Sequence, residues 1–356
     1  MKAVCFVDVE KVEVCEVADP QIKLPTDAIV KVSSAGLCGS DLHVYHGRET
    51  GIDVGTIMGH EFVGEVVEVG SAVASFRCGD RVASPFTTSC GKCFFCLEGL
   101  TSRCTEGQLF GWCSGGVGLQ GAQSELVRVE LADGTLMKIL PDMSDEIALL
   151  LGDNLSTGFF CADLAEVSSD ATCVVIGCGT VGLLTIIAAK ERGARSIFAY
   201  DPIEDRRKMA TELGAIVSNS ADEAIKAVLS ETEGRGADAV MELVGLPAAQ
   251  QLAFDILRPG GTLSVVGCHS SDKFSFSPFE AYDKNLTFKT GRCPARNYME
   301  KLSDFATANQ DKLNQVFTHH FPFDDAVAAY DIFANRKNGC LKAVLNASDR
   351  PAASVE

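Results

Sequence analysis

The sequence predicts an α/β protein with a second, β-rich part: strands dominate residues 1–154, and a doubly wound parallel sheet follows from about residue 155. Three observations predict this. The 356 residues exceed one ordinary compact domain and suit two with full cores. Early on, Val, Gly and short alternating runs such as "AIVKVSSAG" and "GEVVEVGSAV" read as strands joined by Gly-containing turns. From about residue 170, apolar strands alternate with helices, the rhythm of a parallel sheet covered on both faces.

Taken in order, "MKAVCFVDVEKVEV" alternates apolar and charged residues and reads as a strand. "TCVVIG" is a continuous apolar strand, "GLLTIIAAKERGA" a helix ended by Gly193, "RSIFAYD" a second strand and "IEDRRKMATELGA" a second helix ended by Gly214. "ADAVMELVG", "PAAQQLAFDILRPGG" and "TLSVVG" repeat the strand–helix–strand pattern. After Gly291, "ARNYMEKLSDFATAN" reads as a helix, and "FPFDDAVAAYDIFANRKNGCLKAVL" as a helix and a final strand. The Gly-rich "GQLFGWCSGGVGLQGAQ" reads as a mobile loop, and the polar tail from Asn346 as frayed.

Composition narrows the function. Lys+Arg number 31 against 48 Asp+Glu, a formal charge of −17. Such a surface repels phosphate backbones and anionic lipid, which argues against nucleic-acid and membrane partners. No run of about 18 uninterrupted apolar residues predicts a transmembrane helix. The N-terminus lacks the apolar core and cleavage site of a signal peptide, so a cytoplasmic location is the default expectation. The 15 cysteines are odd in number and irregular outside one cluster, which suits thiols and metal ligands better than a disulfide framework.

Gly177-Cys178-Gly179-Thr180-Val181-Gly182 is a G-x-G-x-x-G turn that follows a buried-type strand and opens a helix. Gly177 permits the tight turn, Gly179 lets a pyrophosphate approach the helix N-terminus, and Gly182 allows helix to pack on strand. Asp201 ends the next strand, where a carboxylate accepts bonds from ribose hydroxyls and repels a 2′-phosphate, favouring NAD over NADP. Arg206 and Arg207 lie close behind and soften that preference. Cys178 and Cys268, beside the turns, read as small apolar fillers.

Cys90, Cys93, Cys96 and Cys104 are spaced C-x2-C-x2-C-x7-C. A curled loop of this spacing brings four thiolates to one tetrahedral zinc and leaves no open position, the pattern of a structural site. An iron–sulfur cluster is the chemical rival. Three quieter pieces look catalytic: "GLCGSDLH" with Cys38, Ser40 and His43; "GHEFVGEVVEVG" with His60 and Glu61; and "LLGDNLSTGFF" with Asp153. One Cys, one His and one carboxylate from separate segments can hold zinc with a position left for water or substrate.

"GHEFVGEVVEVG" together with "CGKCFFCLEGLTSRC" and "GCGTVGLL" resembles the zinc-containing medium-chain alcohol dehydrogenases, and the likeness runs over nearly the whole chain. The resemblance implies a GroES-like β domain (1–154), an inserted Rossmann domain that binds NAD (155–293), and a return to the catalytic domain (294–356). It implies Cys38, His60 and Asp153 as catalytic zinc ligands, with Asp153 where many members have Cys. Glu61 resembles the neighbouring acid that sits beside the metal and, in some members, exchanges with the water. Two zincs per chain, one catalytic and one structural, are expected. The implied reaction is reversible hydride transfer between an alcohol and NAD, with Ser40 bonding the substrate oxygen and His43 at the outer end of the proton relay. Val181 and Thr157 match positions near the nicotinamide. Thr180, Val244, Gly267 and Arg206 join the cofactor residues, and Lys342 is placed like a basic residue that meets the pyrophosphate. Phe86 and Trp112 look like walls of the substrate pocket. The expected partner is a small alcohol, aldehyde or ketone, and relatives are homodimers or homotetramers. An aldehyde dismutase relative would carry long insertions that this chain lacks. Non-catalytic relatives commonly lack the four-cysteine loop and the Cys/His pair, and this chain keeps both.

Overall fold

The structure, a computed structural model, describes residues 1–269 and 271–347, so the tail beyond Ala347 lies outside the described residues. The chain divides into two compact units, Met1–Ser156 with the described residues from Pro294 on, and Thr157–Cys293.

The first unit is built on a sheet whose strands run Phe317–Pro322, Lys342–Asn346, Ala28–Gly36, Glu61–Val69, Arg81–Ser84 and Met137–Lys138, with Leu126–Val129 also pairing to Ala28–Gly36. Alternating Val and Phe from these strands, with Phe110, Leu119 and Tyr330, form one buried core. The N-terminal run is two strands rather than one: Lys2–Asp8 and Lys11–Glu16 pair antiparallel. The break is local chemistry, since the Asp8 carboxylate accepts the Val9 amide at 2.7 Å and Glu10 adopts φ +59. The Gly-rich stretch is also more regular than a mobile loop. Trp112–Ser114 and Val117–Leu119 form a hairpin turned at Gly115 and Gly116, both at positive φ. The Asp53 carboxylate accepts both glycine amides, at 2.9 and 2.7 Å.

The second unit is a parallel six-stranded sheet in the order Ile216–Ser218, Ser196–Tyr200, Thr172–Ile176, Ala237–Glu242, Leu257–Val265, Thr287–Thr290. By chain position this is 3-2-1-4-5-6, the doubly wound order whose switch point lies beside the first strand. Thr172–Ile176 is buried at every residue, as a central parallel strand must be. Helices Thr180–Glu191 and Glu204–Glu212 stop just short of Gly193 and Gly214, both left-handed. Among the described residues no single helix is long and apolar enough to cross a membrane; Asp145–Gly152 and Asn154–Leu164 reach that length only together, across a bend.

Candidate active site

Strand register assembles the site. Gly36 pairs with Glu61 on one side and with Val344 on the other. Cys38, just past the first strand, therefore meets His60, just before the second, while Lys342 arrives from the third. The fourth contribution comes from helix Asp145–Gly152, capped by the Ser144 hydroxyl and ending at Asp153. A Cβ on Gly152 would lie 2.3 Å from the Ser84 carbonyl oxygen, so glycine is what lets this helix end approach the strand.

The ligating atoms of Cys38, His60, Glu61 and Asp153 all lie within 4.8 Å of one another. Asp153 Oδ2 stands 3.3 Å from Cys38 Sγ and 3.5 Å from His60 Nε2. Sequence reasoning missed two supporting residues. Asp41, buried at the start of helix Asp41–Tyr45, accepts the Cys38 amide at 2.9 Å and faces His60 Nδ1 at 3.2 Å. This turns Nε2 toward Asp153 and Cys38, the arrangement in which a carboxylate fixes a ligating imidazole. Its signal was an Asp three residues after Cys38, a spacing suited to side chain-to-amide bonding. Asn154 donates to Glu61 Oε1 at 2.9 Å and Asp153 Oδ2 at 3.2 Å; nothing in its local sequence marks it.

Lys342 departs from its expected place at a pyrophosphate. It is 1% exposed, donates to the Leu37 carbonyl at 3.1 Å and forms a short ion pair with fully buried Glu61. The ammonium is committed inside the first unit because the Gly36–Val344 pairing points it there. Burial works against its charge, but Glu61, Cys38 and Asp153 outweigh that and raise its pKa.

Electrostatics fit a cation. Burial, reinforced by Asp153 and Glu61, pushes the Cys38 thiol up to about 12. Burial would depress His60, but the Asp41 charge and bonds to Asp153, Asp41 and Cys38 raise it well above its ordinary value. A thiolate, an imidazole and a carboxylate this close suit zinc, which would relieve both perturbations.

Ser40 is exposed, with Oγ 3.8 Å from Cys38 Sγ. His43 is half-buried, and its Nδ1 is buried with no partner among the described residues. Burial lowers its pKa. Phe86 is buried, its ring edge-on to His60 at 6.3 Å between centroids. Trp112 is half-buried on its hairpin, packed against the first unit's core.

Cys90, Cys93, Cys96 and Cys104 form a second group with all sulfurs within 4.8 Å, none in a disulfide. Gly91 and Gly99 take φ +70 and +79, curling the loop. The Cys90 amide donates to Cys104 Sγ at 3.2 Å and the Cys93 amide to Cys90 Sγ at 3.3 Å. Amides of Thr105 and Cys96 lower the Cys93 thiol to about 6. Burial raises the Cys96 thiol to about 12 and the Cys104 thiol as well, so a cation would be needed to ionise these two; four sulfurs this close, met by backbone N–H groups, are the donor set of a closed tetrahedral zinc.

In the second unit, the three motif glycines differ in what surrounds them. A Cβ on Gly182 would lie 1.8 Å from the Gly177 carbonyl oxygen, and one on Gly177 2.6 Å from Val244. Gly179, the N-cap of helix Thr180–Glu191, has only Arg206 Nη1 within reach, at 3.8 Å. Packing thus requires the outer two, while the middle one faces open space at a helix N-terminus, a cradle for a pyrophosphate. Asp201 is buried and accepts the Cys178 and Ile203 amides, each at 2.9 Å. Arg206 Nη1 stands 3.6 Å from it. Val181, Thr180 and Thr157 are half-buried, Val244 is 38% exposed, and Gly267 packs on the Val244 and Gly245 amides. Cys178 is buried as a filler, whereas Cys268 is exposed.

A doubly wound dinucleotide-type unit and a β unit carrying two zinc-type donor sets, in one chain, define a zinc-binding dehydrogenase. Residues 24–141 match the alcohol dehydrogenase GroES-like domain family, and residues 180–308 the zinc-binding dehydrogenase family. The chain is 44% identical over 342 residues to zinc-type alcohol dehydrogenase B of Aspergillus flavus, covering 94% of this chain and 78% of that protein. It is 32% identical to the NADP-dependent isopropanol dehydrogenase of Clostridium beijerinckii, covering 90% and 92% of the two chains. The solved alcohol dehydrogenase TADH from Thermus sp. ATN1 superposes with TM-score 0.91 at 36% identity, covering 98% of this chain and all of that one. The chain belongs to the zinc-type, medium-chain alcohol dehydrogenase family and is a zinc-dependent alcohol oxidoreductase acting on small molecules.

Proposed function

We propose that the protein transfers a hydride reversibly between an alcohol and NAD, giving an aldehyde or ketone, with Cys38, His60 and Asp153 holding the catalytic zinc. The observation that carries this is the convergence of those donor atoms, with Glu61, inside 4.8 Å. Cys90, Cys93, Cys96 and Cys104 hold the second, structural zinc. Zinc at the first site supplies a Lewis acid that lowers the pKa of the alcohol oxygen, as it does for water, and NAD supplies the hydride acceptor. Asp41 fixes the His60 ring. Ser40 Oγ, beside Cys38, takes the hydrogen bond of the substrate hydroxyl, and His43 carries the proton outward. The unpaired His43 Nδ1 supports that role, since a ligand hydroxyl would satisfy it. Phe86 walls the pocket beside His60.

The cofactor set is Gly177, Gly179, Thr180, Val181, Gly182 and Asp201, with Thr157, Arg206, Val244 and Gly267. The carboxylate of Asp201 favours NAD over NADP. Asp153 in place of a thiol points to secondary alcohols or polyols as the better substrates. The chain works in the cytoplasm as a homodimer or homotetramer. Exposed Phe279 and Tyr282, a few residues before strand Thr287–Thr290, which ends the sheet among the described residues, support association of the second unit.

The test is NADH formation by purified protein across primary, secondary and cyclic alcohols and polyols, against NAD and NADP, with a zinc-stripped sample alongside. We expect NAD-dependent turnover that is lost on stripping and restored by zinc. No turnover from folded protein carrying both zincs overturns the reading in favour of aldehyde dismutation or a binding role.

A further inference from the structure

We propose that Lys342 is a positioning residue that keeps the fourth coordination position of the catalytic metal open, by holding the Glu61 carboxylate away from it. The inference rests on the zinc reading of Cys38, His60 and Asp153. Glu61 is a potential fourth ligand on geometry alone, because its oxygen falls in the same 4.8 Å group as the other three donors. A site with four protein ligands is closed, and substrate needs one position free.

Two bonds hold Glu61 back. Oε2 is paired with the Lys342 ammonium, and Oε1 accepts from Asn154 Nδ2 at 2.9 Å. The ammonium is anchored from behind by the Leu37 carbonyl at 3.1 Å. The fold reserves room for this pair: a Cβ on Gly36 would lie 2.1 Å from Glu61 Oε2 and 3.1 Å from Lys342 Nζ.

The charges account for the arrangement. A divalent ion is neutralised by the Cys38 thiolate and the Asp153 carboxylate. Asp41 accepts the Nδ1–H of the neutral, ligating His60. Glu61 is then one anion too many, and Lys342, 1% exposed, is the ammonium that balances it. Without that ammonium the buried carboxylate is left facing the metal as its nearest cation, and it becomes the fourth ligand.

The test uses the cobalt-loaded holoenzyme, with free imidazole as the probe for the open position. The difference between the wild-type spectrum and that of Cys38→Ser isolates the site; identical spectra would refute the zinc reading itself, not the role of Lys342. In Lys342→Met, imidazole should shift the cobalt bands at least about 10-fold more weakly than in wild type. Adding Glu61→Gln to Lys342→Met should restore imidazole binding, because the competing carboxylate is gone. Imidazole binding by Lys342→Met within twofold of wild type, or no restoration in the double variant, overturns the proposal. Should Lys342→Met fail to fold, Glu61→Gln is compared with the double variant. The two must bind imidazole alike within twofold, and a larger difference means that Lys342 acts other than through Glu61.

Discussion

Replacing Asp41 by Asn tests whether the site is built around an oriented imidazole. The carboxylate accepts from three groups at once, the Cys38 amide at 2.9 Å, His60 Nδ1 at 3.2 Å and the Gln123 side-chain amide at 3.4 Å. Asparagine keeps the shape but has one acceptor oxygen, so whichever way its amide turns, either the Cys38 amide or His60 Nδ1 faces an NH2. The variant therefore loses one hydrogen bond to a charged group, worth ~1.5–3 kcal/mol. At about 1.4 kcal/mol per decade this predicts zinc affinity at the Cys38 site roughly 10- to 100-fold weaker, the range seen when such outer carboxylates are removed elsewhere. The assay is competition against a chelator of known affinity, with Cys38→Ser identifying the equivalent released. Unfolding of the metal-free form checks that the fold is retained. Zinc affinity within twofold of wild type would refute the reasoning, since His60 would then be held in place without Asp41.

Three further outcomes follow from the same geometry. Cys104→Ser should lower zinc content by about one equivalent per chain and lower the melting temperature, as metal analysis and calorimetry would show; unchanged zinc would mean the four sulfurs do not share an ion. Asp201→Ser removes the charge that opposes a 2′-phosphate and frees Arg206, now 3.6 Å from it. The ratio of kcat/KM for NADP over NAD should rise about 10- to 100-fold, like-charge contacts costing several kcal/mol, and an unmoved ratio would show that Asp201 does not face the ribose. His43→Gln should lower turnover about 100-fold, within the usual range for a lost acid–base group. Burial holds the His43 pKa below its ordinary 6.5, so its neutral, proton-accepting form persists at pH 6.5 and is lost only below it. The acid limb of the wild-type profile should lie below pH 6.5 and vanish in the variant.

The elements legible in the sequence were those set by local pattern. Thr172–Ile176 announced itself as an uninterrupted apolar strand, and the helices before Gly193 and Gly214 by periodicity and a left-handed stop. Strand Ile216–Ser218 is not legible, because three residues are too few to show a period. The hairpin at Trp112–Leu119 was hidden by its glycines, which read as looseness but supply the positive φ of a tight turn. In the site, Cys38, His60 and Asp153 are nameable by resemblance, and the place of Asp41 is written in its spacing three residues after Cys38, which suits a side chain-to-amide bond. The place of Lys342 is not legible, since it depends on two strands that pair on either side of Ala28–Gly36 and bring Glu61 and Lys342 together from 281 positions apart.

The same separation explains why this centre demands a cation. Strand pairing brings Cys38, Asp41, Glu61 and Asp153, each at most 8% exposed, around a single buried ammonium and a single imidazole. Four groups able to carry negative charge against two able to carry positive charge is costly in a desolvated place. Burial holds the Cys38 thiol protonated until a metal takes its place, while Asp153 is driven toward ionisation by His60 and Lys342 despite its burial. A ligating His60 is neutral, so a divalent ion displaces the Cys38 and His60 protons and sets two positive charges against the Cys38 thiolate and the Asp153 carboxylate, with Lys342 on Glu61 and the His60 Nδ1–H on Asp41. Zinc at this point is therefore part of what makes the interior of the first unit electrostatically acceptable, as well as the agent of its chemistry.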